Sequence, residues 1–363
     1  MTCVIGTSSF PGAKTKLTII FIYATIRVYL LDTSTNVESN RTVVHSPLAR
    51  TLPVAALVVM FAAACGSGSS SSSQSGGSPG APHALKVVAT TTQVGDFARN
   101  VGGDKAVVHQ ILKPNVDPHD YEPSPADIQA IAEADVVVKN GVGLEKWLDQ
   151  VITSAGFDGT IVDASQGVAI RQGDGSEEEA DGDPHIWHNP MNVKIMAANI
   201  EKAFAAKDAA DASAYEANLA AYNAKIDTLD ADIATKIASI PADRRKLVTN
   251  HDAFGYYIDR YKLTFVGSII PSFDTSAELS GKQIADLVAK IKATGVTAIF
   301  SESSLPPKTA EAIGREAGVK VEAGEDSLYG DTLGPEGSAG ATYLQMEEHN
   351  TDTIVTALKG SST

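Results

Sequence analysis

Three of the eight histidines in the chain stand in marked surroundings. His119 lies in Asp117-Pro118-His119-Asp120-Tyr121-Glu122-Pro123, His185 in Asp183-Pro184-His185-Ile186-Trp187-His188-Asn189-Pro190, and His251 in Asn250-His251-Asp252-Ala253-Phe254-Gly255. Each falls near the end of a short apolar run or at a loop-to-helix junction, where open α/β sheets present groups to ligands. A fourth candidate is the carboxylate of Asp331, in Leu328-Tyr329-Gly330-Asp331-Thr332-Leu333-Gly334. Three imidazoles and one carboxylate suit a divalent transition metal. The nitrogen count favours zinc, while the oxygen leaves manganese or iron acceptable. The spacing is too long for a local motif such as HExxH, so the fold itself must gather the ligands.

Other chemistries have less support. Of the 363 residues, 44 are acidic and 29 basic, a formal charge of −15, with no basic cluster to displace counterions from a nucleic acid. Cys3 and Cys65 both lie in the first fifth of the chain, so the remainder has no thiol to pair, attack or ligate. His, Asp, Glu and hydroxyl groups must carry whatever chemistry there is.

The elements that position these residues read as an α/β pattern. From Leu85 onward, β-branched runs alternate with helical stretches, the signature of mostly parallel sheets flanked by helices. Strands are expected at Leu85–Thr90, Val107–Leu112, Asp135–Lys139 and Thr160–Asp163, then at Lys246–Thr249, Thr264–Ile269, Thr297–Ser301 and Val319–Ala323. Ser124-Pro125-Ala126-Asp127 supplies an N-cap, a first-turn proline and an early acid for a helix over Ile128–Ala134. Further helices are expected near Ala253–Arg260, Gly281–Ala293, Pro307–Ala317 and Gly340–Leu358. Between the two groups, Tyr215, Leu219, Tyr222, Ile226, Leu229, Ile233 and Ile237 recur at steps of four and three, and Pro241 ends the run. The expected organisation is an N-terminal lobe over 85–211, one long rigid helix over 212–240 and a C-terminal lobe over 241–363. A cleft between lobes is a preferred ligand site, and a single rigid connector implies limited closure.

The leading segment reads as a processing signal. Arg50, the apolar run Pro53–Ala64 and the small residues before Cys65 describe a secretory signal over 43–64, too short to span a bilayer. Ala62-Ala63-Ala64-Cys65 resembles a bacterial lipobox, which makes Cys65 the lipidated residue, and the Ser/Gly-rich stretch 65–84 reads as a tether. Residues 1–42 differ in composition and are expected to be a mis-called start. The rival reading makes Leu17–Leu31 a second membrane segment.

Taken in order, HDYEPSP, DPHIWHNPMN, NHDAFGYY, IFSESS and LYGDTLG resemble the zinc and manganese solute-binding lipoproteins of ABC importers, a similarity running from about Leu85 to Leu358. The resemblance implies two α/β lobes bridged by a long helix, with one metal ion between them. Its ligands would be His119 and His185 from the first lobe and His251 and Asp331 from the second. It also implies delivery to an ABC permease and its ATPase, attachment to the outer face of the cell membrane by a lipid on Cys65, a monomeric protein and no catalysis. Manganese members tend to have a carboxylate at the position of His251, so the resemblance favours Zn²⁺ over Mn²⁺. Glu302 would orient a ligand or lie near the ion, with Asp252, Tyr121 and Glu122 as further neighbours. Where the family usually shows Leu-Asp after the tryptophan, this chain has His188-Asn189. His188 is thus a competing imidazole, and either it or His185 can face the ion. The acidic run Asp174–Asp183 replaces a histidine-rich loop and reads as a solvated loop or a weak cation collector. His45, His83, His109 and His349 are read as bystanders. Two alternatives stand beside transport: a metal-dependent hydrolase using the three histidines with Glu302 as general base, and an adhesin on the same fold.

Overall fold

The computed structural model describes residues 84–173, 179–277 and 279–359, all within the unit Ser75–Thr363. The expected N-terminal extension, signal, Cys65 and most of the tether lie outside the described residues, as do residues 174–178 of the acidic run.

The first lobe carries a four-stranded parallel sheet of Leu85–Ala89 (β1), Ala106–Gln110 (β2), Val136–Lys139 (β3) and Thr160–Asp163 (β4), in the order β2-β1-β3-β4. Its helices are Thr92–Gly102 (α1), Pro125–Ala132 (α2), Leu148–Ala155 (α3) and Pro190–Lys207 (α4). The pleat sorts side chains between two layers: Val87, Val136 and Val138 face the main core, whereas Val88 and Val137 face a smaller cluster with Ile131, Leu148 and Val151 of α2 and α3. The Ser124 cap is present as a reciprocal capping box with Asp127, with Pro125 at the helix start. Asn189 caps α4 by accepting the Met191 N–H at 3.0 Å, so the turn after His188 is set locally.

Helix α5, Ala212–Ala238, is the 27-residue connector. Its buried stripe of Tyr215, Tyr222, Ile226, Leu229, Ile233 and Ile237 is the periodic set seen in the sequence; Leu219 is only partly buried. It packs on α1 and α4 on one side and on second-lobe helices on the other.

The second lobe contains Lys246–His251 (β5), Thr264–Ile270 (β6), Ala298–Phe300 (β7) and Lys320–Glu322 (β8), with helices Gly255–Tyr261 (α6), Gly281–Thr294 (α7), Lys308–Ala317 (α8) and Tyr343–Lys359 (α9). Among the described residues the ladders form two parallel pairs, β5-β6 and β7-β8, although β5 and β7 lie side by side. Strand β7 is only three residues long, and its pairing continues through one isolated bridge, Glu302 with Leu328.

One apolar core runs through both lobes. It joins Phe97 and Trp187 of the first lobe to Phe254, Tyr257, Tyr343 and Ile354 of the second, through the buried face of α5. No helix among the described residues is long and apolar enough to cross a membrane.

Candidate metal centre

The first lobe presents His119 and His185 from loops built on the same triplet. In Asp117-Pro118-His119, Asp117 Oδ1 accepts the His119 N–H at 2.9 Å. In Asp183-Pro184-His185, Asp183 Oδ1 accepts the His185 N–H at 3.0 Å and also lies 2.8 Å from its Nδ1. The proline removes a competing donor, and the carboxylate folds the loop so that the ring points inward. Asp183 is itself buried. Arg171 Nη1 donates to its Oδ2, and the Tyr256 hydroxyl donates to its carbonyl at 2.9 Å.

The second lobe repeats the arrangement at the end of β5. Glu302 Oε1 accepts the His251 N–H at 3.0 Å, and Oε2 lies 2.8 Å from Nδ1, a charge contact whose alignment falls short of a hydrogen bond. Both carboxylates favour the hydrogen on Nδ1 and leave Nε2 free to ligate.

Asp331 completes the group. Its Oδ1 lies 3.3 Å from His185 Nε2, 3.3 Å from His251 Nε2 and 4.0 Å from His119 Nε2, while the Nε2 atoms of His185 and His251 are 3.2 Å apart. The four ligand atoms all lie within 4.8 Å of one another. Tetrahedral arms of 2.0–2.1 Å put ligand atoms about 3.3 Å apart, so the cluster fits one ion with small adjustment at His119. His119 Nε2 and both Asp331 oxygens are buried without a hydrogen-bond partner, which is costly unless a cation or protons engage them.

The electrostatics agree. Burial pushes the carboxyl of Asp331 up, but the three imidazoles outweigh it and hold it well below the usual range. Burial, joined by the charges of His185 and His251 and opposed by that of Asp331, brings His119 down to about 4. At His185 burial opposes the charged form, yet the hydrogen bond to Asp183 and the nearby charge of Asp331 prevail and raise it to about 9. His251 is likewise raised, against burial, by Asp331 and Glu302. Three buried carboxylates thus surround three imidazoles, a site that calls for positive charge.

All four side chains expected from the sequence as ligands therefore come together, and Glu302 touches His251. His188 is turned away: it stacks on Phe254, with Nδ1 2.8 Å from Glu347 Oε1 and Nε2 3.1 Å from the Gly330 carbonyl. The reason is the Asp183 contact, which commits His185 to the cluster. Asp252 makes no side-chain hydrogen bond to a ligand; burial and the charge of Asp183 push its carboxyl up to about 6. Tyr121 donates to Asp127 at 2.8 Å, away from the cluster, and Glu122 is exposed. His109 is exposed on β2, and His349 bonds the Ser327 carbonyl at 2.9 Å; His45 and His83 lie outside the described residues. Asp183 was missed because it ends an acidic run, although the repeated Asp-Pro-His triplet was the available signal. Phe273 was missed as well; its ring stands 6.4 Å from that of His185, beside the Asp117–Thr275 and Lys146–Asp274 contacts.

Residues 87–357 match the family described as zinc-uptake complex component A, periplasmic. The chain belongs to this family, the solute-binding proteins of zinc and manganese ABC importers. Relatives of this member include the manganese ABC transporter substrate-binding lipoprotein PsaA of Streptococcus mitis, 32% identical over 85% of this chain and 98% of its own length. The metal ABC transporter substrate-binding lipoprotein FimA of Streptococcus parasanguinis is 32% identical over 78% of this chain and 92% of its own. Among solved structures, the periplasmic zinc-binding protein TroA of Treponema pallidum superposes with a TM-score of 0.70 at 29% identity, covering 77% of this chain and all of TroA. A manganese-bound periplasmic metal-binding protein of Candidatus Liberibacter asiaticus gives 0.67 at 25% identity, covering 75% of this chain and 98% of that one. This family member shares their two-lobed α/β architecture.

Proposed function

We propose that the protein captures Zn²⁺ between its lobes through His119, His185, His251 and Asp331 and hands it to an ABC permease driven by an ATPase. The observation that carries this reading is the convergence of three imidazole nitrogens and one carboxylate oxygen within 4.8 Å, in the interior of the protein. Three nitrogen donors, those of His185 and His251 already at tetrahedral spacing, suit zinc. Manganese is the second reading, favoured by the printed names of several relatives and by the manganese-bound neighbour. A hydrolase would need Asp331 off the metal to leave a position for water, and the placement of Asp331 Oδ1 among the imidazoles argues for transport. The names of the relatives as lipoproteins support attachment to the outer face of the membrane through Cys65; the working unit we propose is a monomer.

The test is metal retention. After dialysis against Zn²⁺ and then metal-free buffer, the wild-type protein and His349→Ala keep one zinc per chain by elemental analysis, and His251→Ala loses it. Equal retention by all three, or by none, contradicts the assigned site.

A further inference from the structure

The buried His188–Glu347 pair takes no direct part in metal ligation. His188 sits on the single turn between His185 and α4, and Glu347 on α9 in the second lobe; both are fully buried. A carbonyl oxygen only accepts, so His188 Nε2 carries the hydrogen and donates to Gly330 across 3.1 Å. The other ring nitrogen faces Glu347 Oε1 at 2.8 Å, and His188 is the only hydrogen-bond partner of that carboxyl among the described residues. The ring is therefore fixed at both ends.

What it holds is the backbone of a ligand. The Gly330 carbonyl also accepts from Trp187 Nε1 at 3.0 Å, and the next carbonyl, that of Asp331, accepts from Gln93 Nε2 at 2.8 Å. Asp331 belongs by sequence to the second lobe, yet the carbonyls on both sides of its Cα are gripped by three first-lobe side chains. On its other face Gly330 has no slack, because a Cβ there would lie 2.3 Å from Glu302 Oε2, the oxygen beside His251 Nδ1.

We propose that His188, locked by Glu347, is a positioning residue that fixes the Gly330-Asp331 backbone and so sets how fast the metal leaves. The proposal rests on the metal-binding reading above and adds to it a residue outside the ligand set. With the Gly330 carbonyl held by two donors, the Asp331 carboxylate stays aimed at the ion. With one donor removed, the loop gains freedom and the ion departs sooner.

Two substitutions separate positioning from packing. His188→Gln places its amide nitrogen close to where Nε2 stands and keeps the donor to Gly330. His188→Asn is one bond shorter, places its amide near Nδ1 toward Glu347, and leaves Gly330 without that donor. The readouts on the full-length chain are zinc dissociation in a stopped-flow chelator chase and the rise in Tm that zinc produces. The expected result for His188→Asn is dissociation about three- to tenfold faster and a smaller zinc-induced rise, as the loss of one hydrogen bond implies, with His188→Gln close to wild type. Equal rates in all three proteins, or equal acceleration in both variants, would overturn the proposal and leave His188 a packing residue. His188→Gln also tests it alone, since fast dissociation with the donor retained contradicts it. A wild-type chain that takes up no zinc would instead sink the functional reading itself, independently of the variants.

Discussion

Two of the three imidazoles reach the cluster by the same device, a buried carboxylate that takes the backbone N–H and faces Nδ1: Asp183 for His185 and Glu302 for His251. Such partners affect metal affinity by about 10–100-fold, so Asp183→Asn and Glu302→Gln should each weaken zinc binding by that order in competition titrations. Unchanged affinity in both would remove the orienting role. Gly330→Ala should weaken binding as well, because the new Cβ must displace the Glu302 carboxylate; a structure of the variant would show Glu302 moved away from His251. Zinc takes only neutral imidazole, and His185, raised to about 9, carries a proton at neutral pH when no metal is bound. Binding at pH 7 therefore releases protons and weakens as pH falls, visible as a binding heat that depends on the buffer's heat of ionisation. A buffer-independent heat contradicts this. The four side chains proposed as ligands were legible because each sits in a marked loop motif. The choice of His185 over His188 rested on the family motif and not on spacing, since a three-residue step at a turn leaves both rings available until Asp183 selects one. Asp183 itself was hidden in an acidic run that reads as solvent-exposed.

At the scale of elements, α2 and α5 show what capping and periodicity convey. The α5 stripe is visible in the sequence because one face alone is apolar over its whole length, and it packs against helices of both lobes. Ile226→Ala should cost about 2–5 kcal/mol of stability, as buried truncations do, read as a lowered denaturation midpoint; a change below ~1 kcal/mol would mean that the helix is not the shared core. Helix α1 escaped the sequence reading. Its segment contains Gly95 and Gly102, poor helix formers; a Cβ at Gly95 would lie 2.8 Å from Gln110 Oε1, so Gln110 packs close over the glycine. Helix α3 is short and also escaped. The two strand pairs of the second lobe were not separable in the sequence, since runs of three apolar residues specify strand but not pairing.

Across the whole molecule, the lobes meet in a continuous core and again around the metal centre, where Gln93, Trp187, His188 and Asp117 bond second-lobe partners. The described part should therefore unfold as one cooperative unit and gain stability with bound metal by mass action, about 2.7 kcal/mol at a hundredfold excess over Kd. Two transitions in calorimetric melting, only one of them moved by zinc, would contradict a shared core. The central claim is that one buried His₃Asp site holds a single ion and prefers zinc. Parallel calorimetric titration of the chelator-stripped protein with Zn²⁺ and Mn²⁺ tests it most directly. The account predicts tight one-to-one binding of Zn²⁺ and weaker binding of Mn²⁺. Tighter binding of Mn²⁺ would contradict the preference, and no binding of either would contradict the site.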